Sequence, residues 1–288
     1  IKTTSADLSW QYNKGGISAR VTGFWSYIKD QTDVMSFYDD SQHSFTNFAM
    51  TGIDQRHLGV EIGAKFPLPV PGLSISAVAS LGEYVYTSTP HMVQTVDNSS
   101  EIIRDDDVPY WASAPIYRKD VDGIFEKDLD GNYIVEKQQK HYVPSTPQIA
   151  TNLSLNYRTN SYWFFELSAQ YFANSYLDMN PLYRTEFAVG GIDGIATPEE
   201  IEYMTQQEKF APAFLMNFSA GKSWYVGKYN IGFSLDVRNF LNNTSVKTGG
   251  YEQTRLIKSA GKDRYYRFDP KYFYMCGANY MLNIYFRF

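Results

Sequence analysis

Along almost the whole chain, apolar side chains recur at every second position, and this period of two limits the fold more than any other feature. Leu8, Trp10 and Tyr12 alternate with Ser9 and Gln11, and Val60, Ile62, Ala64 and Phe66 with Glu61, Gly63 and Lys65. Trp163, Phe165, Leu167, Ala169 and Tyr171 oppose Glu166, Ser168 and Gln170. The last segment is the longest: Ala278, Tyr280, Leu282, Ile284, Phe286 and Phe288 oppose Asn279, Asn283 and Arg287. Successive side chains of a strand point to opposite faces, so these segments read as strands with one apolar and one polar face. No run of 18 apolar residues exists, so no transmembrane helix is available. A membrane is not excluded by that, because a transmembrane strand needs only about 10 residues, half of them facing lipid.

The alternation predicts nine strands, near 5–12, 17–36, 44–66, 73–88, 142–158, 161–176, 210–225, 229–241 and 270–288, with Gly52 a point where 44–66 could divide. The connections fall into two classes that alternate along the chain. Those at 13–16, 67–72, 159–160 and 226–228 are tight. Those at 37–43, 89–141, 177–209 and 242–269 are mostly long. A meander puts all the short turns at one rim and all the long loops at the other, which is how outer-membrane barrels are built. A soluble meander or sandwich has no reason to sort its loops in this way, and long structureless loops are unusual in compact domains.

Composition supports the same reading. The chain has 24 Tyr, 19 Phe and 5 Trp, and aromatic rings suit the headgroup level, where one edge is dry and the other wet. Trp10, Tyr12, Trp25, Tyr27, Tyr157, Trp163, Tyr171, Trp224 and Tyr225 lie near strand ends, where such girdles belong. The net charge of −5, from 26 Lys+Arg against 31 Asp+Glu, argues against a nucleic-acid partner. One cysteine, Cys276, excludes a disulfide scaffold and a Cys-rich metal site; it falls on the apolar face of the expected last strand and reads as inert.

Nine antiparallel strands cannot close a barrel, since single-chain bacterial barrels have even counts and open edges are not tolerated in hydrocarbon. Ile1–Ser5 carries no signal-peptide pattern. The expectation is therefore a single partial barrel domain over 1–288, with earlier strands lying outside this sequence.

The terminal segment Tyr272–Phe288 resembles the last strand of outer-membrane barrels, and Asp236-Val237-Arg238-Asn239-Phe240-Leu241-Asn242 resembles the segment before the last loop of TonB-dependent receptors. Gly59-Val60-Glu61 is similar to a strand that recurs in the same family, and the Gly249-Gly250-Tyr251-Glu252-Gln253 loop to receptors of Bacteroidota. The resemblance covers the whole chain as an all-β antiparallel transmembrane barrel, the C-terminal part of a 22-stranded one. It implies Phe288 and Phe286 as part of the signal read by the barrel assembly machinery. It also implies an N-terminal plug and earlier strands of the same protein, outer-membrane lipid around the barrel, and an inner-membrane TonB-type energy-coupling complex. The cargo would be a small nutrient, such as a ferric siderophore, haem, cobalamin, an oligosaccharide or a peptide, and a surface lipoprotein is a further partner the family allows. A passive porin would share the strands and the loop sorting, but not the Arg238-Asn239 segment or loops this large.

Ligand contacts are expected in the loops, where Tyr110, Trp111, Tyr117, Tyr133, Tyr142 and Tyr183 could stack on a ligand or pack the loops onto one another. Asp128-Leu129-Asp130-Gly131-Asn132 is similar to part of a calcium loop but lacks the full spacing and the glutamate at the twelfth position; it reads as a turn in a hairpin over Phe125–Val135. Thr197-Pro198-Glu199-Glu200 predicts a capped helix to about Gln207, either a lid or a shaped surface loop. His43, His57, His91 and His141 have no metal-ligand spacing and no serine sits in a nucleophile motif, so no enzyme, cofactor or metal is expected.

Overall fold

The alternating segments pair in chain order. The computed structural model describes every residue except 40–42, 98, 192–195 and 259–264, and only the backbone at 257 and 258. The strands are β1 (Lys2–Lys14), β2 (Ile17–Asp39), β3 (Ser44–Pro67), β4 (Leu73–Tyr86), β5 (His91–Val96), β6 (Ile102–Asp107), β7 (Ser113–Tyr117), β8 (Val135–Lys140), β9 (Ile149–Arg158) and β10 (Trp163–Ala173). After helices α1 (Glu186–Gly190) and α2 (Pro198–Thr205) come β11 (Ala213–Val226), β12 (Tyr229–Arg238), β13 (Lys247–Tyr251), β14 (Leu256–Lys258), β15 (Tyr265–Arg267), β16 (Lys271–Tyr274) and β17 (Asn279–Arg287). Nine of the strands form one antiparallel meander, in the order β1-β2-β3-β4-β9-β10-β11-β12-β17. Within it β1 pairs only with β2, and β17 only with β12, so these two are its edges. The fold is all-β, as the alternation predicts. No described helix is long and apolar enough to cross a membrane, which says nothing of strands.

Register keeps the two faces apart across the sheet. Trp10, Val21, Ile62, Ala79, Thr151, Tyr171 and Phe214 are successive partners on one face. Ser18, Lys65, Ser76, Ser154, Ser168 and Asn217 are successive partners on the other. At the β17 edge, Leu235–Leu282, Phe233–Ile284 and Ile231–Phe286 share the apolar face, while Ser234–Asn283 and Asn230–Arg287 share the polar one. Each cross-strand pair adds roughly 0.2–1 kcal/mol, and a slip of one residue would exchange the faces throughout, so the pattern itself holds the register.

Several expected boundaries move. β3 runs unbroken through Gly52, but Gly52 has φ +74° and lies opposite a register shift between Ile28 and Thr32 in β2. This bulge shifts the alternation by one, so that Phe48 and Met50 above it meet the same core as Ile53 below it. The strand expected from residue 142 starts at Ile149, and the one expected to run to residue 176 stops at Ala173; beyond these ends Tyr142 and Tyr176 make only single bridges, to Val85 and Lys209. The strand expected at 229–241 stops at Arg238, and the segment expected as one strand over 270–288 is two, β16 and β17.

One asparagine explains the last two changes. Asn239, buried and at φ 49°, bonds Asn243 through both ends of its amide and donates to the Cys276 carbonyl at 3.0 Å. Its own N–H donates to Asn217 Oδ1 at 2.9 Å. The turn stops β12 and holds the 275–278 break against it, so Cys276 lies in that break, exposed, rather than on a strand face.

Candidate functional site

The long connections do not hang free. They carry eight of the short strands and both helices, and they pack over the upper ends of β2, β3 and β4. β5 pairs with the upper half of β3 and β6 with β5, extending that corner of the sheet. Beneath them Met92, Val108, Trp111 and Met179, drawn from two loops, close onto Phe48, Met50, Ile53 and Tyr86 of β3 and β4. Burying such side chains is worth about 1.5–3 kcal/mol each, so this second core holds the loops as one cap.

A buried ion cluster ties the cap together. Arg184, in the 3-10 turn Pro181–Arg184, is fully buried and pairs with Glu252 through both guanidinium ends, Nη2 at 2.9 Å from Oε1. Arg267 of β15 donates to the same carboxylate, and Asn180 N–H donates to it at 2.9 Å. Both arginines also donate to the carbonyl of Gln206, at 3.1 and 3.0 Å, where the four C-terminal carbonyls of α2 lack helical partners. Burial pulls the Arg184 pKa below the usual guanidinium range, and Glu252 beside it opposes that shift. At the other end of α2 the expected cap is present: Thr197 N–H donates to Glu200 Oε2 at 2.8 Å and Thr197 Oγ1 accepts from Glu200 N–H. Glu202 on the same helix accepts from Tyr117 N–H at 2.8 Å, and Gln207 bonds Tyr142 through both ends of its amide at 2.8 Å. Three loops distant in sequence thus meet at one helix.

Between β7 and β8 the chain rises as a narrow prong. The hairpin expected over 125–135 is present, with Lys127 bridged to Tyr133 and a turn closed by Gly131 N–H on the Asp128 carbonyl. It is the second of two turns of the same eight-residue unit, Tyr117–Ile124 and Phe125–Asn132. In each, an aspartate carboxylate (Asp120, Asp128) accepts two backbone N–H groups two and four residues on, at 2.8–2.9 Å. A glycine (Gly123, Gly131) sits at φ above +80°, where other residues are strained. These backbone bonds hold the Asp128 carboxyl below the usual carboxylate range. Tyr117, Phe125 and Tyr133 meet edge to face, with centroids 6.2–6.3 Å apart. Among the described residues, no three acidic, histidine or cysteine side chains converge as metal ligands would.

Of the six aromatic residues expected to reach a ligand, Trp111 and Tyr183 are buried. The Tyr183 hydroxyl is held by the Gln253 and Arg255 carbonyls at 2.6 Å. Tyr142 stacks on Tyr176 at 4.2 Å, Tyr110 packs on the small core around Met204, and Tyr117 and Tyr133 hold the prong. His141 is buried as well. Its Nδ1–H donates to the Trp111 carbonyl at 2.9 Å, Nε2 has no partner, and burial with Arg184 nearby pushes its pKa down to about 3.

A cavity of about 510 Å³ opens beside this packing, walled by Phe37 and Tyr38 of β2, Arg104 of β6, Phe187 of α1, Leu256 and Tyr265. None of the six expected aromatics lines it. Arg104 is hidden in the sequence inside an acidic run, Arg104-Asp105-Asp106-Asp107, that reads as a solvated face; only the alternation of β6 would have marked it as turning the other way from Asp105 and Asp107.

No known family profile matches the chain, and no curated protein matches it. Among solved structures it is similar to the copper transporter OprC, with 14% identity and a TM-score of 0.48 over 98% of this chain and 31% of that one. It is also similar to a chain of the FpvAI–pyocin S2 complex, with 12% identity and a TM-score of 0.42 over 99% of this chain and 27% of that one. The chain spans less than a third of the length of these two proteins.

Proposed function

We propose that this chain is barrel wall and external cap of a TonB-dependent outer-membrane receptor, which binds a scarce nutrient at the cap and imports it with inner-membrane energy. The observation that carries the reading is the sorting of the meander. The short turns after β1, β3, β9 and β11 all lie at one end of the nine strands, and the three long connections, after β4, β10 and β12, all lie at the other and fold into a packed cap. The two faces supply the rest. A sheet with mostly apolar side chains on one side and Ser, Asn, Gln and Glu on the other suits lipid outside and a wet lumen within. In this reading the first and last strands pair with further strands of the same protein, which also supplies the plug and the segment that meets the TonB-type complex. Rigid scaffolds that carry elaborated loops usually place recognition in those loops.

Labelling of whole cells tests the orientation. With Cys276→Ser as background, a cysteine at Val121 or Leu129, the two exposed prong tips, should react with a membrane-impermeant maleimide on intact cells. A cysteine at Lys228, in a short turn, should react only after permeabilisation. The reverse pattern would overturn the proposal, and free diffusion of small sugars through liposomes carrying the protein would favour a porin.

A further inference from the structure

We propose that the cavity between β2, β6, α1 and β15 takes a small anion carried on a flat aromatic body, with its anionic oxygens at the Arg104 guanidinium and its ring beside Phe187 and Tyr265. The inference rests on the reading of the cap as the ligand-binding face and names the chemistry it would select. Arg104 is held from its backbone outward, because β6 pairs with β5 and sets Arg104 opposite Gln94. Its guanidinium carbon lies 3.3 Å from the centroid of the Phe187 ring, and Phe187 in turn packs on Tyr265 at 5.0 Å between centroids. Stacking occupies the flat face of an arginine and leaves the donors on its edge, which match the two oxygens of a carboxylate.

Arg104 makes no ion pair among the described residues, its Nε–H is buried without an acceptor, and burial lowers its pKa. A partly desolvated cation with no fixed partner attracts an anion more strongly than the same cation in water. The nearby carboxylate does not take that place. Asp39 also lines the cavity, but its Oδ2 accepts from Gln94 Nε2 at 3.0 Å, on β5. It repels an anion from that side and so favours the Arg104 end. The remaining wall is mixed: Phe37, Leu182 and Leu256 can bury a ring, while Tyr38, Thr254 and Arg255 add polar groups, the second guanidinium keeping that side favourable to an anion. A volume of about 510 Å³ lies within the range of sites that enclose small organic molecules.

The test uses the purified protein in detergent and two isosteric probes, 2-naphthoate and neutral 2-naphthamide, followed by their fluorescence or by calorimetry. Naphthoate should bind about tenfold or more tighter than naphthamide. Arg104→Gln should erase that difference while leaving naphthamide binding in place, and Arg104→Lys should restore part of it. Equal binding of the two probes to the unmodified protein, binding of neither, or discrimination that survives Arg104→Gln would each overturn the proposal. The comparison of probes on the unmodified protein does not depend on how any variant folds. Binding in detergent needs neither orientation nor energy coupling, so failure here leaves the receptor reading to its own labelling test, and failure there leaves this binding result intact.

Discussion

Replacing Glu252 by alanine isolates the centre of the cap. The carboxylate accepts both ends of Arg184, one end of Arg267 and the N–H of Asn180. Without it, Arg184 keeps only the Asn180 and Gln206 carbonyls, at 3.2 and 3.1 Å, and its charge is fully buried with no counter-ion. Removing one partner of such a pair costs about 3–5 kcal/mol, mostly because a charge is left stranded. Arg267 adds less, since its side chain is partly exposed and also donates to the Tyr203 and Gln206 carbonyls. Taking ~4 kcal/mol, the population of the opened cap rises about a thousandfold. Hydrogen exchange read by mass spectrometry should show this in peptides covering 178–190 and 247–256, while peptides from β9 to β12 keep their protection. The double change Arg184→Met with Glu252→Leu should be milder than Glu252→Ala alone, because an apolar pair leaves no stranded charge. If the double variant is as labile as the single one, or if exchange in the cap is unchanged by Glu252→Ala, the cluster is not what holds the loops.

Four further outcomes are expected. His141 stays neutral in the closed cap, with its pKa held near 3, but takes a proton near pH 6.5 once exposed, so closure weakens as pH falls from about 6.5 towards 3; from pH 8 to pH 5 the loss is about 2 kcal/mol, and His141→Asn should flatten that dependence in the same exchange measurement. His91 has the opposite sign, because Asp107 and Asp105 raise its pKa: its small contribution is present below pH 6.5 and fades as pH rises through the raised value, seen as faster exchange in 91–107 at alkaline pH. On the proposed membrane reading, Ile284→Arg should cost roughly 2–4 kcal/mol in liposome refolding and Asn283→Arg little, and equal costs would refute the assignment of faces. Thr197→Ala should loosen α2 by about 1 kcal/mol, visible as faster proteolysis within 198–207, because it removes the hydroxyl that accepts from Glu200 N–H and leaves only the backbone half of the capping box.

The sheet was legible because its signal is local and repeated. Leu282, Ile284 and Phe286 pair with Leu235, Phe233 and Ile231 just as their shared period of two requires. The capped helix was legible for the same reason, since Thr197, Pro198 and Glu200 carry their message within four residues. What the sequence did not show lies in contacts between distant segments. Nothing near Glu252 marks it as the counter-ion of an arginine 68 residues away. Tyr183 and Trp111 look like any loop aromatics until the two cores that swallow them are seen. The break at Met275–Ala278 was hidden because Asn239, in the turn after β12, dictates it. The two-turn prong is different: its repeat is plain in the sequence, where Asp120-Val121-Asp122-Gly123 recurs eight residues on as Asp128-Leu129-Asp130-Gly131, and the recurring glycine marks a turn where the aspartates alone suggest calcium.

That prong also has an evolutionary consequence. Each unit closes through its own aspartate, glycine and ring, and the two strands that leave it, β7 and β8, meet the cap at a fixed junction. Duplicating or deleting eight residues would therefore change how far the tip stands above the surface without repacking anything beneath it. Height becomes a trait that copying errors can tune in whole steps, separately from whatever chemistry the cavity selects.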